Sequence, residues 1–395
     1  MKILVVCQHY YPEPFRVSDV CEKLVQRGHK VTVLTAIPNY PEGVFYPGYS
    51  KKERREEDHN GVHIIRSYAR PRGKKITHRY LNYLSFPKNA NKVAKRLGPG
   101  FDVVLVYQLS PVMMAEPGLV YGKKYKVPVL LYELDPWPSN LTAGGIKENS
   151  LVFRYFSSVS KRIYLEADKV LVSSKPHISY IQNLCGKPMN IDYLPQYAVE
   201  TGEYQLSDSK DCHFLYAGNV GQALPLEIML SSFKKAYEKN QHVYLDVCGD
   251  GSALEEAKQY CKDHDVKNVI FHGWLNKEHF EKISNQCKAS IVLLNHQKYS
   301  QLTVPGKVQT YLKIGTPILA ADDGATKQII EESHAGICVK TSDENELTEA
   351  ILRFASLTKE DLLQYSSNGK AYYQKEMSEE RFFNTLIKSL NELRK

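Results

Sequence analysis

Short apolar runs, each followed by a turn and a helix-spaced segment, recur along this chain and restrict what it can fold into. The first half carries them at Lys2–Cys7, His29–Leu34, Val62–Ile65, Asp102–Tyr107, Pro128–Tyr132 and Lys169–Ser174. The second half carries them at Cys212–Ala217, Val243–Cys248, Val269–His272, Ser290–Leu294 and Pro317–Ala321. Runs this short and this apolar read as strands covered on both faces, and helices between them make βα units in parallel sheets. Sheets of that kind bind ligands outside the carboxyl ends of their strands. The fold class expected is therefore α/β, and 395 residues are enough for two domains with separate cores.

The stretch Val304–Ile330 shows the pattern most fully. Pro305 and Gly306 form a tight turn, Val308, Leu312 and Ile314 have helical spacing, and Gly315 stops the helix. A short strand over Pro317–Ala321 then ends in the turn Asp322-Asp323-Gly324. A helix opening at Gly306 and Lys307 directs its unpaired N–H groups outward, which makes an anion site. The same residues also satisfy an ordinary αβ unit, so the decision rests on the rest of the chain.

Composition narrows the class. Eight cysteines lie scattered without a C-x-x-C pair or metal spacing, as in a reduced cytoplasmic protein. No apolar run approaches the ~18 residues of a membrane span. Charge is uneven: residues 1–195 hold 29 Lys/Arg against 16 Asp/Glu, a net of +13, and the remainder has −5, giving the overall +8. The segment Arg66–Arg96 has no acidic residue and interleaves its cations with Tyr68, Tyr80, Tyr83 and Phe86. It reads as a solvated basic face, an anionic membrane or lipid-phosphate site, or a nucleic-acid surface. No nucleic-acid module accompanies it, which disfavours the third.

In chain order, Lys2–Cys7 is a strand, Gln8–Val17 a loop, and Ser18 the expected cap of a helix ended by Gly28. No G-x-G-x-x-G separates strand from helix, which argues against a dinucleotide-binding dehydrogenase. The loop instead offers Glu13 and Arg16. The next loop, Pro38–Gly43, is pinned by prolines and carries Asn39 and Tyr40. Tyr80–Leu97 is expected to be helical. The run Pro128–Tyr132 leads into Glu133-Leu134-Asp135-Pro136-Trp137-Pro138, two carboxylates and a tryptophan at a strand end, although the prolines also suit a plain stiff turn. In the second half, strand ends carry Gly218-Asn219-Val220-Gly221, Gly249-Asp250-Gly251 and Gly273-Trp274. Glycines there let backbone N–H groups approach a phosphate, and a nucleotide across this edge accounts for the series. Pro225 is the expected first helical residue.

These residues carry a resemblance. YYPEPFRVSDV, RGHKVTVLTAIPNYPEG, FDVVLVYQLSP and LLYELDPWP, then LYAGNVG, CGDG, FHGW and VPGKVQTYLKIGTPILAADDG, resemble the retaining family 4 glycosyltransferases, in the branch that makes capsule, O-antigen and colanic-acid polysaccharides. The resemblance implies a GT-B fold, two Rossmann-like α/β domains facing each other across a cleft. The expected parts are an acceptor domain at 1–198, a linker at 199–211, a nucleotide-sugar domain at 212–375 and a C-terminal helix at 376–395 returning to the first domain. It implies a donor site of Gly218, Asn219, Gly221, Gly249, Gly251, Gly273, Trp274, Pro305, Gly306, Lys307 and Thr310. The acceptor side would hold Glu13, Arg16, Asn39, Tyr40 and Trp137. Catalytic roles would fall to Asp135, with Glu133 second, and to Lys307 and Arg16 at the leaving diphosphate.

The chain departs from the family pattern in ways that bear on chemistry. The two glutamates spaced eight apart in many members align with Leu302 and Thr310. The usual arginine after the first glycine is Asn219, and a nearby lysine is missing, so Lys307 is the substitute cation. Capsule-type relatives share this V-P-x-K arrangement. No D-x-D motif stands in the right context, so neither metal nor cofactor is expected. The partners implied are a nucleotide-diphosphate sugar, uridine being the expected base, a polyprenyl-diphosphate-linked or oligosaccharide acceptor, and an anionic membrane surface, with no nucleic acid. The location implied is cytoplasmic, peripheral at the inner face of the cell membrane. A sugar-nucleotide epimerase of the same fold, a non-catalytic membrane-attached scaffold and an inactive copy are the competing readings.

Overall fold

The apolar runs become the strands of two parallel sheets in a computed structural model. It describes every residue except Lys74, Lys75, Glu200, Thr201, Ser207, Asp208, Gln222, Ala223 and Lys395, and only the backbone of Ile76, Thr77 and Arg79. Two lysines of the basic segment and four residues of the expected linker thus lie outside the described residues. The chain divides into one unit of Met1–Leu194 with Phe383–Lys395 and a second of Pro195–Phe382.

In the first unit the strands are β1 (Lys2–Val6), β2 (Lys30–Ala36), β3 (Glu56–His59), β4 (Val62–Ser67), β5 (Val103–Gln108), β6 (Val129–Glu133), β7 (Lys169–Val172) and β8 (Ile191–Tyr193). They lie in the order β3-β4-β2-β1-β5-β6-β7-β8, and only β3 runs antiparallel to its neighbour. Helices α1 (Val17–Gln26), α2 (Ile76–Ala94), α3 (Glu116–Tyr125), α4 (Leu151–Glu166) and α5 (Pro176–Cys185) link them. Strands β1 and β5 are buried along nearly their whole length, which is why they read as unbroken apolar runs.

The second unit holds β9 (Cys212–Ala217), β10 (Val243–Cys248), β11 (Val269–Gly273), β12 (Cys287–Leu293), β13 (Ile318–Ala321) and β14 (Gly336–Val339), in the order β11-β10-β9-β12-β13-β14, all parallel. Its helices are α6 (Leu226–Lys239), α7 (Leu254–Asp263), α8 (Lys277–Ser284), α9 (Lys298–Leu302), α10 (Gly306–Ile314), α11 (Ala325–Ser333), α12 (Glu344–Ser356) and α13 (Lys359–Tyr372). On one face, Phe214, Leu245 and Val247 pack against Phe233 of α6 and Phe354 of α12; on the other, Val292, Ile318 and Ala320 pack against Val308 and Leu312 of α10. The last helix, α14 (Glu379–Leu393), passes from the second unit into the first. There the Arg27 guanidinium lies 3.9 Å from the Phe383 ring centre, and the Lys169 ammonium is 3.0 Å from Glu392. No helix among the described residues is long and apolar enough to cross a membrane.

Several details differ from the sequence reading. Helix α1 starts at Val17 after Arg16, with no side-chain cap, so Ser18 lies inside the first turn. Helix α2 starts at Ile76, ahead of Tyr80. The turn Asn60-Gly61, with both residues at positive φ, closes a hairpin that creates β3. The segment after Leu194 belongs to the second unit. Tyr204 donates through its amide to Ile314 O at 2.9 Å and through its hydroxyl to Lys288 O at 3.1 Å.

Arg66 is not part of a basic face. Strand β4 carries it inward, where Nη2 donates to Glu57 Oε1 at 2.6 Å and to Tyr11 O at 2.9 Å, and its guanidinium lies over the Tyr49 ring. Arg66→Met removes one partner of a buried ion pair and leaves the Tyr11 carbonyl unmatched. Its expected cost is about 3 kcal/mol in urea unfolding, the lower end for breaking such a pair; a loss under about 1 kcal/mol would show the pair to be dispensable.

Candidate active site

Strand order reverses between β9 and β12 in the second unit, and ligands of open parallel sheets sit at such switch points. The loop after β9 begins at Gly218, and the chain after β12 returns through α9 to Pro305, the residue that caps α10. The Lys307 ammonium comes back onto the β9 loop. A Cβ added to Gly218 would lie 3.2 Å from Lys307 Nζ, and the ammonium is 4.1 Å from the Tyr216 ring centre. No carboxylate among the described residues pairs with it. Burial alone pushes its pKa down, to about 8. A cation over an aromatic face, at a helix N-terminus and without a counter-ion, is electrostatically incomplete.

The glycines around it have a different role from the one expected. Gly218 N donates to Cys248 O at 2.9 Å, Gly249 N to Gly273 O at 2.8 Å, and Gly251 N to the Asp250 side chain at 2.7 Å. Those three amides bond within the protein. The three strand-end loops are instead stitched edge to edge. Gly249 has φ +152°, and a Cβ there would lie 1.9 Å from Gly218 O. Gly251 likewise faces Val220 O, and Gly221 lies under the Asn219 side chain. The backbone donors that helix geometry leaves without intrahelical acceptors here are those of Gly306 and Lys307. Thr310 turns its hydroxyl toward Gly306 O at 3.4 Å. Trp274 is 80% exposed just past β11, so it is not a core residue. Asp322 is buried and caps α11, accepting from Thr326 N at 2.8 Å.

In the first unit the reversal falls between β1 and β5. Four residues expected to contact an acceptor or reacting atoms are instead buried supports. Glu13 accepts from Asn39 N and Tyr40 N at 2.7 Å each and holds His9 Nδ1 at 2.9 Å, which ties the first two loops together. Asn39 donates to Ile37 O and accepts from Arg72 N. Glu133 is wholly buried with its carboxylate 2.7 Å from His177 Nδ1. Trp137 is buried between Tyr83 and Phe156 and donates through Nε1 to Ser110 Oγ at 2.9 Å. Asp135 differs: it is half-buried, with Oδ2 accepting from Ser110 N at 2.8 Å. Arg16 and Tyr40 are also half-buried. His9, Ser110, His177 and Tyr216 were not singled out in the sequence. Only Tyr216 had a signal, as the residue two before Gly218.

The two units match separate family models. Residues 15–196 match the glycosyl transferase 4-like domain, and residues 203–372 match glycosyl transferases group 1. The architecture is that of the GT-B glycosyltransferases. A probable glycosyltransferase WbjE of Pseudomonas aeruginosa is 24% identical over 240 residues, covering 57% of this chain and 58% of that protein; the match thus spans little more than half of that relative. Among solved structures, sucrose-phosphate synthase from Thermosynechococcus elongatus superposes with a TM-score of 0.76 at 15% identity, covering 100% of this chain and 99% of that one. Anabaena HepE in complex with UDP and glucose gives 0.67 at 14% identity, with 99% of each chain covered. WaaG, a glycosyltransferase involved in lipopolysaccharide biosynthesis, gives 0.65 at 12%, covering 100% and 99%. At these identities the likeness is one of fold.

The half-buried ammonium has a consequence for stability. With a folded pKa near 8 against 10.5 unfolded, the unfolded chain binds the extra proton between those values, so Lys307 makes folding more favourable as pH rises through that window. Relative to Lys307→Met, wild-type stability is expected to increase from pH 8 to pH 10, measured by urea unfolding in matched buffers. A difference that stays flat or falls would contradict the burial of the charge.

Proposed function

We propose that the protein transfers a sugar, with retention, from a nucleotide-diphosphate sugar to a saccharide acceptor in surface-polysaccharide synthesis. The donor is read as UDP-linked, and the acceptor as carried on a polyprenyl diphosphate at the inner face of the cell membrane. The observation that carries this reading is Lys307, a cation without a carboxylate partner, at the switch point of the second sheet and beside free helix-terminal N–H groups. The domain matches support the reaction class, and the relative solved with UDP and glucose supports the donor class.

The chemistry follows from the charge. As the bond between the anomeric carbon and the diphosphate breaks, negative charge gathers on the leaving oxygen, and positive charge on the sugar ring. Lys307 and the Gly306 and Lys307 amides stabilise the first. Their preorganisation lets them act without waiting for solvent to rearrange. Lys307 supplies the charge that a metal would supply in other sites. Asp135, held by Ser110 N, orients the acceptor hydroxyl or stabilises the developing positive charge. Glu133, read as the second candidate, is fully buried at this strand end.

Transfer should be measured from UDP-sugars to lipid-linked acceptors, alongside donor hydrolysis and epimerisation without acceptor. Lys307→Ala is expected to lower kcat by roughly 10²–10³-fold, as for loss of one preorganised donor. Arginine should restore only part, because its planar fork does not reproduce a compact ammonium. An alanine variant within threefold of wild type at equal thermal stability would remove Lys307 from the reaction. Isomerisation without acceptor would establish the epimerase.

The nucleobase is assigned to the end of β11, beside Trp274. UDP is therefore expected to change Trp274 emission in a Trp137→Phe background, where no other tryptophan contributes. Calorimetrically proven binding without a spectral change would move the base elsewhere.

A further inference from the structure

The first unit fixes an imidazole that neither Lys307 nor Asp135 accounts for. His9 lies in the loop after β1, beside the reversal of strand order between β1 and β5. Its Nδ1 is 2.9 Å from Glu13 Oε2, and the other oxygen of that carboxylate accepts from Asn39 N and Tyr40 N at 2.7 Å each. A carboxylate can only accept, so in the neutral ring Nδ1 carries the hydrogen and Nε2 keeps its lone pair. The ring plane is fixed as well. Phe15 stacks on it at 4.8 Å, and Tyr40 meets it at 62° with centroids 5.6 Å apart. Nε2 is the end left over. Among the described residues it has no hydrogen-bond partner, and it is not sealed from solvent. His177, also beside a buried carboxylate, differs in that both of its ring nitrogens are closed off. A carboxylate that orients an imidazole through Nδ1 and leaves Nε2 open is the arrangement that makes histidine a general base.

We propose that His9 is the base that takes the proton of the acceptor hydroxyl. As the hydroxyl oxygen bonds to the anomeric carbon, its proton moves to Nε2. The bond from that carbon to the diphosphate breaks, and its electron pair leaves on the diphosphate. The imidazolium so formed is stabilised by the Glu13 carboxylate and later gives its proton to solvent. Glu13 is then a positioning residue that acts through His9. The assignment rests on the proposed transfer to a saccharide acceptor at this sheet edge. It also divides the work between two loops on either side of β5. His9, after β1, handles the proton, which leaves Asp135, after β6, to meet the positive charge on the sugar ring.

Transfer from UDP-hexoses to polyprenyl-diphosphate-linked saccharides is measured for wild type, His9→Ala, His9→Gln and Glu13→Gln. UDP affinity by calorimetry and thermal unfolding are measured alongside. His9→Ala is expected to lower kcat by roughly 10²–10⁴-fold, the range of a general base, with UDP affinity unchanged. Imidazole in the buffer should restore its activity saturably, because the space vacated beside Phe15 admits the free base, and should not accelerate wild type. His9→Gln keeps a polar side chain without the base and should lose as much, so it carries the test if the alanine variant does not fold. In Glu13→Gln the amide donates to Nδ1, which moves the ring hydrogen to Nε2 and removes the lone pair. Its kcat should fall at near wild-type stability, and imidazole should rescue nothing. A folded His9 variant that transfers within about threefold of wild type would overturn the assignment. So would a folded His9→Ala whose loss imidazole leaves unrestored, since His9 would then only support its loop. Wild type that binds UDP but transfers to no acceptor would overturn the transfer reading itself, and the base with it.

Discussion

An ammonium half-buried at the edge of a parallel sheet is costly, and the second unit is arranged around that cost. Lys307 is brought to the site by Pro305 and Gly306, which turn the chain sharply so that α10 can start beneath it. Its charge rests on the Tyr216 ring, which compensates only part of the lost hydration. The remainder shows as a pKa held near 8. Among the described residues no carboxylate of the neighbouring loops pairs with Lys307, the Asp250 side chain accepting from Gly251 N instead. These loops add glycines, and those glycines allow three strand-end loops to hydrogen-bond edge to edge beside the lysine. A rigid floor under an uncompensated cation is a means of holding an anion in one position.

The first unit deals with its polar groups differently. Glu13, Asn39 and Glu133 are buried, Glu13 bonded to two backbone amides and His9, and the Glu133 carboxylate 2.7 Å from His177 Nδ1. A buried carboxylate with all its contacts internal cannot also meet a substrate, but it can fix a loop that does. Among the described residues Asp135 is held through one oxygen, by Ser110 N, and it is only partly buried, so this strand end leaves one acid near the surface. Ser110 links this acid to the rest, since its amide meets Asp135 and its hydroxyl accepts from Trp137 and Asn140.

This division explains what the sequence could reveal. The strands were legible because β1, β5, β9 and β10 are covered on both faces and leave unbroken apolar runs. Strand β3 was not, because Glu56-Glu57-Asp58-His59 sits at a solvated sheet edge and has no apolar pattern; only Asn60-Gly61 betrayed its turn. Lys307 stood out in the sequence because a charged residue after a Pro-Gly turn opens a helix there, whereas the glycine series gave no sign that its amides bond to neighbouring loops. The contacts of Glu13, Glu133 and Trp137 were not legible either. Whether a carboxylate at a strand end points outward or into the loop beneath depends on partners such as His9 and His177, which are distant in sequence or carry no motif. Arg66 shows the same limit: in sequence it opens a basic run, and in space it belongs to Glu57.

The departures from the family pattern also become connected once the lysine's place is known. Residue 310 lies three positions beyond Lys307 on α10, the spacing at which helical side chains meet. A glutamate there would pair with the lysine and spend its charge inside the protein. Thr310 instead turns its hydroxyl back to Gly306 O, and Leu302 closes α9 without a charge. Asn219, in place of an arginine, leaves the β9 loop neutral where Lys307 already approaches it. A second cation so close would have raised the cost of burying the first. Moving the positive charge from the β9 loop to the start of α10 is thus consistent only if the acid one turn further along is lost as well, and the chain shows both changes together.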